Sequence, residues 1–383
     1  MILIQNGRLH LESGEVKKAD ILIKDRIIAA IGVHLSADGA VVLNAEGLDV
    51  FPGLIVPSCN IGARGVAILR DKDDTEDADP INPQMHIRYS FDFREVKMQH
   101  MTRLGITSYG LSPGMTPLVA GQMALVNTDA ESASDAILVD NVAMKGNFNR
   151  SVMDYYAGKR KMPTTHMGMY YLLDKALTDA RAYMEQDNPP YQQKHAEFAA
   201  MLRGEIPFLV NAYAQMDIEC ILRLAKKHGF RPVFCGAFAI EQCAEQIMDA
   251  GYYAAVGEFT YLFNYVNYNT NLKRLVELYR KGLRLCLATG GEEGYPPAYD
   301  QLMWSAVMLR QAGASAQEVL DMMTIQTARA LGVDRLVGSI REGKQADLMI
   351  CAGNPAESYR NHVCATIVAG RISYRKDDET ACF

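Results

Sequence analysis

The groups of this chain best suited to chemistry are carboxylates and a lysine standing at the ends of apolar runs. Glu258 closes Ala254-Ala255-Val256-Gly257, and Glu292-Glu293 follow Leu287-Ala288-Thr289-Gly290-Gly291. Carboxylates at the ends of buried strands could act as general acid and general base without a metal. The plainer alternative puts them in a solvated loop, or in an ion pair with Lys145 or Arg150. Lys145, in Met144-Lys145-Gly146-Asn147, reads as a cation at the mouth of such a site. The catalytic candidates are therefore Lys145, Glu258 and Glu292.

A thiol nucleophile needs a nearby base and a depressed pKa. Cys59, in Val56-Pro57-Ser58-Cys59-Asn60, is the one cysteine placed to attempt this. Strand alternation turns it away from the face shared by residues 58 and 60, so it reads as a buried structural thiol. The eight cysteines (59, 220, 235, 243, 286, 351, 364 and 382) are scattered, mostly within apolar runs, and form no CxxC pair. That pattern suits reduced, buried thiols better than disulfides or a zinc site.

Nor do the eight histidines (10, 34, 86, 100, 166, 195, 228 and 362) share a metal-binding spacing. His228 precedes Gly229 at a helix end, where a positive charge suits the dipole. His166, in Thr164-Thr165-His166-Met167-Gly168, reads as a surface or packing residue. The cluster Lys159-Arg160-Lys161 reads as a solvated helix end.

Positioning such groups needs a scaffold, and 383 residues suffice for a large α/β domain with a smaller companion. A hydrophobic fraction of 49% with a net charge of -6 describes an acidic globular protein and disfavours nucleic acid as a partner. No apolar run is long enough to cross a bilayer, and Met1-Ile2-Leu3-Ile4-Gln5 reads as a strand instead of an export signal, so the expected location is cytoplasmic.

Both chain ends carry short alternating strands. At the N-terminus these are Ile2 to Gln5, a turn at Asn6-Gly7, Ala19 to Ile23, Ile27 to Ile31 and Val41 to Leu43. At the C-terminus they are Asp347 to Cys351, Cys364 to Val368 and Arg371 to Tyr374. Between them buried strands alternate with amphipathic helices, as in Phe208-Leu209-Val210 followed by a helix from Met216 to His228. Pro232 to Cys235 before a helix near Ile240 to Ala250, and Leu283 to Ala288 before one from Tyr299 to Ala312, repeat the unit. The expected fold is α/β, a (β/α)8 TIM-like barrel over residues 52–335 with a small β-sandwich domain from residues 1–51 and 336–383. An open doubly wound sheet is the competing arrangement. The stretch from Asp154 to Lys194 reads as a helical insertion in one βα loop.

Six ordered segments carry a resemblance to a known family. They are Phe51-Pro52-Gly53-Leu54-Ile55 with Asp79-Pro80-Ile81-Asn82-Pro83, Gly105-Ile106-Thr107-Ser108, Pro113-Gly114 with Gly121-Gln122, Met144-Lys145-Gly146, the stretch from Thr324 to Gly332, and Gly338-Ser339-Ile340 with Gly343 to Leu348. Together they resemble the amidohydrolase superfamily, and within it the imidazolonepropionase-related branch. In that family the first strand continues into Asp-x-His-x-His, later strands give one histidine each, and the last gives an aspartate that binds metal and moves the proton. The resemblance places Ser58 and Asn60 at the first two histidines, Asn211 and Gly236 at the next two, and Gly290 at the aspartate. Lys145 stands near the bridging position.

Neutral side chains and glycine cannot supply the imidazole and carboxylate donors that hold such an ion and acidify its water. The resemblance with these substitutions implies a degenerate amidohydrolase with no metal and no other cofactor. Ser58, Asn60, Asn211 and Tyr213 are then expected to bind a small polar ligand in the barrel mouth. The chain is expected to act as a non-catalytic ligand-binding or regulatory subunit, homo-oligomeric or assembled with an active paralogue, away from nucleic acid and membranes. The alternative is a hydrolase acting without metal on the C–N bond of a small or cyclic amide.

Overall fold

A computed structural model describes residues 1–63, 73–257, 259, 270–289, 301–358 and 360–376. The N-terminal strands are β1 (Ile2–His10), β2 (Val16–Lys24), β3 (Ile27–Gly32), β4 (Val41–Asn44) and β5 (Asp49–Pro52). The barrel strands are β6 (Leu54–Cys59), β7 (Ile106–Leu111), β8 (Val119–Asn127), β9 (Ile137–Asn147), β10 (Phe208–Asn211), β11 (Pro232–Cys235), β12 (Tyr253–Val256) and β13 (Arg284–Leu287). The chain returns through β14 (Leu348–Ala352), β15 (His362–Val368) and β16 (Arg371–Arg375).

Strands from the two chain ends make one eight-stranded sheet, in the order β16-β15-β14-β5-β1-β2-β3 with β4 also paired to β1. Hydrogen bonding thus joins them in a single sheet instead of dividing them between the two layers of a sandwich. Ile4, Ile21, Ile28, Leu348 and Ile367 share one apolar cluster, so the sheet curls about its own core. The anticipated turn at Asn6-Gly7 is a bulge inside continuous β1. Asn6 adopts φ 61° where the pairing with β2 slips between Ile4 and Gly7. An Asn-Gly pair tolerates positive φ in a bulge as well as in a hairpin.

Gly53 hands the chain from the first sheet to the second. Its N–H donates to the Asp347 carbonyl (2.9 Å) in one sheet, and the next residue, Leu54, donates to the Gly105 carbonyl (2.9 Å) in the other. A Cβ on residue 53 would stand 2.2 Å from Thr107 Oγ1, so glycine is required by close approach. Gly53→Ala is expected to cost about 1–3 kcal/mol of unfolding free energy in urea denaturation, the usual penalty of overpacking. Wild-type stability in that variant would mean that the two sheets do not meet so closely.

The barrel sheet runs β13-β12-β11-β10-β9-β8-β7-β6, and the two end strands β6 and β13 lie in contact, nearly closing it. Seven strands are parallel in direction, but β8 pairs antiparallel with both β7 and β9. This differs from eight regular βα units. The links at residues 112–118 and 128–136 are shorter than the dozen or so residues that a parallel crossover needs. The anticipated insertion is present as helices Arg150–Gly158, His166–Met184 and Gln193–Glu197. Among the described residues no helix is long and apolar enough to cross a membrane.

Candidate functional site

Parallel strands direct their C-terminal ends to one face, and loops there collect the functional groups of barrels. Lys145 and Asn147 lie two residues apart on β9 and so share a face of the sheet. The β9–β10 register sets Asn147 beside Asn211. Asn211 Nδ2 donates to Asn147 Oδ1 (3.1 Å), and Asn211 Oδ1 accepts from Lys145 Nζ (3.3 Å). Lys145 Nζ also reaches Ser58 Oγ on β6 (3.5 Å). Asn147 Nδ2 then donates to the Pro117 carbonyl (2.8 Å) and the Gly114 carbonyl (3.2 Å) beyond β7. One chain of hydrogen bonds therefore crosses the ends of β6, β9 and β10. Lys145 is 1% exposed and Asn147 0%, so this network is desolvated and each bond in it is strengthened.

Asn60 is buried on the same side, but its partner was not legible in the sequence. Its Nδ2 donates to Asp74 Oδ2 (2.8 Å), while Asp74 Oδ1 accepts from Thr75 Oγ1 (2.8 Å). The Asp74 carbonyl accepts from Gly114 N (2.9 Å), which ties this carboxylate to the loop that anchors Asn147. Asp74 stands in the run Asp71-Lys72-Asp73-Asp74-Thr75-Glu76-Asp77, where nothing in composition separates it from its solvated neighbours.

Ser58, Asn211 and Lys145 are thus brought together, with Asn60 beside them. The Tyr213 hydroxyl faces Met115 Sδ (3.7 Å), and its ring lies 5.5 Å from that of Phe238. Gly236 sits under that ring with φ 60°, and a Cβ there would stand 2.6 Å from Tyr213 Cε1. Both the backbone conformation and the ring therefore disfavour a larger residue at this position. Cys59 is buried in the apolar core with Leu54 and Val56, on their side because the β6–β7 register slips between Val56 and Cys59. Glu258, Glu292 and Gly290 lie outside the described residues.

Lys159, Arg160 and Lys161 form an exposed helix end. Lys159 Nζ pairs there with Asp77 Oδ1 (2.8 Å) and lies 4.5 Å from the centre of the Tyr155 ring. It fastens the loop after β6 to the helix after β9. His166 has a packing role, since its Nε2 bonds Asp217 Oδ1 (2.9 Å) and Asp217 is buried. Asp217 Oδ2 accepts from Ala214 N (2.9 Å) and Tyr213 N (3.3 Å) at the start of helix Gln215–His228. Pairs separated by 51 positions in sequence leave no local signal. Asp217→Ala is expected to lose about 1–2 kcal/mol in urea denaturation through the vacated helix start. An unchanged midpoint would show that the carboxylate does not cap this helix.

Residues 267–373 match a model of the amidohydrolase family. The chain is 43% identical over 53 residues to a dihydroorotase of Halalkalibacterium halodurans, covering 14% of this chain and 12% of that protein. It is 30% identical over 135 residues to an imidazolonepropionase of Sphingopyxis alaskensis, covering 35% of this chain and 33% of that one. The chain thus matches a third or less of the length of these curated relatives. The fold is similar throughout to the crystal structure of an amidohydrolase from Thermotoga maritima MSB8, with a TM-score of 0.89 at 21% identity over 98% of this chain and 100% of that one.

Proposed function

We propose that this chain, which belongs to the amidohydrolase superfamily, binds a small polar ligand at its barrel mouth without a metal ion and serves as a ligand-binding or regulatory subunit. The observation that carries this reading is the buried chain of bonds from Ser58 through Lys145 and Asn211 to Asn147. It lines the strand ends with hydroxyl, ammonium and amide groups, which recognise carbonyl and carboxylate oxygens and fix a ligand by direction.

A divalent metal of the kind the family implies does not fit these side chains. Ser58, Asn60 and Asn211 offer neutral oxygens only, and the Asn211 oxygen is already committed to Lys145. Gly236 offers no donor. Among the described residues no group of three His, Cys, Asp or Glu side chains converges.

Saturation-transfer NMR with acetate, acetamide and 2-pyrrolidone tests the reading. Binding of at least one probe is expected in the wild type and is expected to be lost in Ser58→Ala and Asn211→Leu variants that keep the native circular dichroism spectrum. Absence of binding by all three would contradict it. The contact between Lys145 Nζ and Ser58 Oγ favours a second reading, metal-free hydrolysis of the C–N bond of a small or cyclic amide. Turnover of an amide or lactam that is abolished by Lys145→Ala or by Glu258→Gln would establish that second reading. As a regulatory subunit the chain would form homo-oligomers or assemble with an active paralogue, which co-purification from the native source tests.

A further inference from the structure

We infer that Asp74 is the anchor for a cationic nitrogen of the ligand, so that the mouth takes small amines, amidines or guanidines in preference to their neutral isosteres. This inference rests on the reading of the mouth as a ligand site and names the ligand's chemistry.

Asp74 is 6% exposed, and its oxygens accept from Asn60 Nδ2 and Thr75 Oγ1, both neutral donors. An ionised carboxylate has about four acceptor positions, of which these bonds use two. Taking such a group out of water is costly unless it meets a counter-charge or a full set of donors.

Other buried carboxylates of the chain show how this is ordinarily met. Asp49 pairs with Arg8 (2.6 Å) and His10 (2.8 Å), and Asp217 pairs with His166. Asp20 and Asp347 form no salt bridge among the described residues, although Arg26 acts on Asp347 from a distance, and each holds backbone N–H groups that fix a turn or strand end. Asp20 accepts from Asn6 N and Leu35 N, and Asp347 accepts from Ala369 N. Among the described residues Asp74 accepts from no backbone N–H and pairs with no cation. Its oxygens are thus not used to fix a turn or strand end there, as those of Asp20 and Asp347 are.

Its position supplies a functional role. Through its own carbonyl Asp74 is bound to Gly114, whose carbonyl accepts from Asn147 of the mouth network. A Cβ on Gly114 would stand 1.9 Å from Thr75 Oγ1, so the two loops are pressed together there. Ser58 lies near the end of β6 and Asn60 directly follows its final residue, Cys59, so both stand at the same strand end. The Asp74 carboxylate bonded to Asn60 and the Lys145 ammonium bonded to Ser58 therefore mark a negative and a positive end along one strand end. A single carboxylate with amide and hydroxyl neighbours suits a directional N–H donor better than a metal ion, which would require several charged oxygens.

Acetamidinium and acetamide have nearly the same shape and differ in charge. Titrated by isothermal calorimetry into the full-length chain, acetamidinium is expected to bind at least about tenfold more tightly, as a charge-assisted bond to a buried carboxylate requires. Asp74→Asn is expected to abolish that preference. Asp73→Asn, at an exposed neighbour, is expected to preserve it. The wild-type preference is read without any variant, so misfolding of Asp74→Asn leaves the test in place. Equal binding of the two probes by the wild type, or a preference that survives in folded Asp74→Asn, overturns the role of Asp74 alone. Binding of neither probe, nor of acetate or 2-pyrrolidone, overturns the mouth as a ligand site and this inference with it.

Discussion

Asn211→Leu is expected to lower the unfolding free energy by about 3 kcal/mol, because two buried groups lose a partner at once. Lys145 Nζ loses the Oδ1 acceptor at 3.3 Å, and Asn147 Oδ1 loses the donor at 3.1 Å. Leucine fills a similar volume, so little of the loss comes from an empty cavity. Urea denaturation measures the change. A double-mutant cycle with Asn147→Leu is expected to show coupling of about 1 kcal/mol or more, since residues of one hydrogen-bond network do not add. Additive effects would mean that the two amides do not bond, and the network across the strand ends would dissolve with them.

The second large effect concerns pH and sits at the joint between the sheets. Asp347 accepts from Ala369 N (2.8 Å) and from Gln345 Nε2 (2.9 Å), and the same Gln345 nitrogen donates to Asn127 of β8 (2.8 Å). Burial pushes the Asp347 carboxyl up from its ordinary 3.8 to about 6, against the opposing pull of those hydrogen bonds. A folded-state pKa raised above the unfolded one favours the protonated, folded form. The contribution is therefore fully present below about pH 4, falls as pH rises through about 6, and is absent above it. The displacement is worth ~3 kcal/mol, by the free energy equivalent to one pH unit. The stability difference between the wild type and Asp347→Asn, followed by urea denaturation from pH 4 to 8, is expected to change by about that amount and to level off above pH 6. A difference independent of pH would show that this carboxylate is not titrating in the folded chain.

Much of the architecture follows from local patterns. The run Phe51-Pro52-Gly53-Leu54-Ile55 crosses from one sheet to the other, and Cys59 joins the core cluster of Leu54 and Val56 because the β6–β7 register slips between Val56 and Cys59. The antiparallel direction of β8 was hidden because all nine of its residues are buried, and a fully buried strand has the same apolar pattern in either direction. Only the shortness of its flanking links distinguishes the two.

At the site, the resemblance located Ser58, Asn60, Lys145 and Asn211 at one end of the barrel. It could not locate Asp74, which bonds Asn60 from 14 positions further along the chain, within a run of charged residues. Nor could it find the pairing of His166 with Asp217, which depends on two helices packing side by side.

The central claim is that the strand ends offer hydrogen-bonding groups and no metal cage. Equilibrium dialysis of the purified chain against zinc, manganese and nickel in turn, followed by elemental analysis, tests it most directly. The account predicts no stoichiometric ion of any kind and no shift in the unfolding midpoint on metal addition. An ion retained at one per chain, and lost in Ser58→Ala or Asn211→Leu, would contradict it.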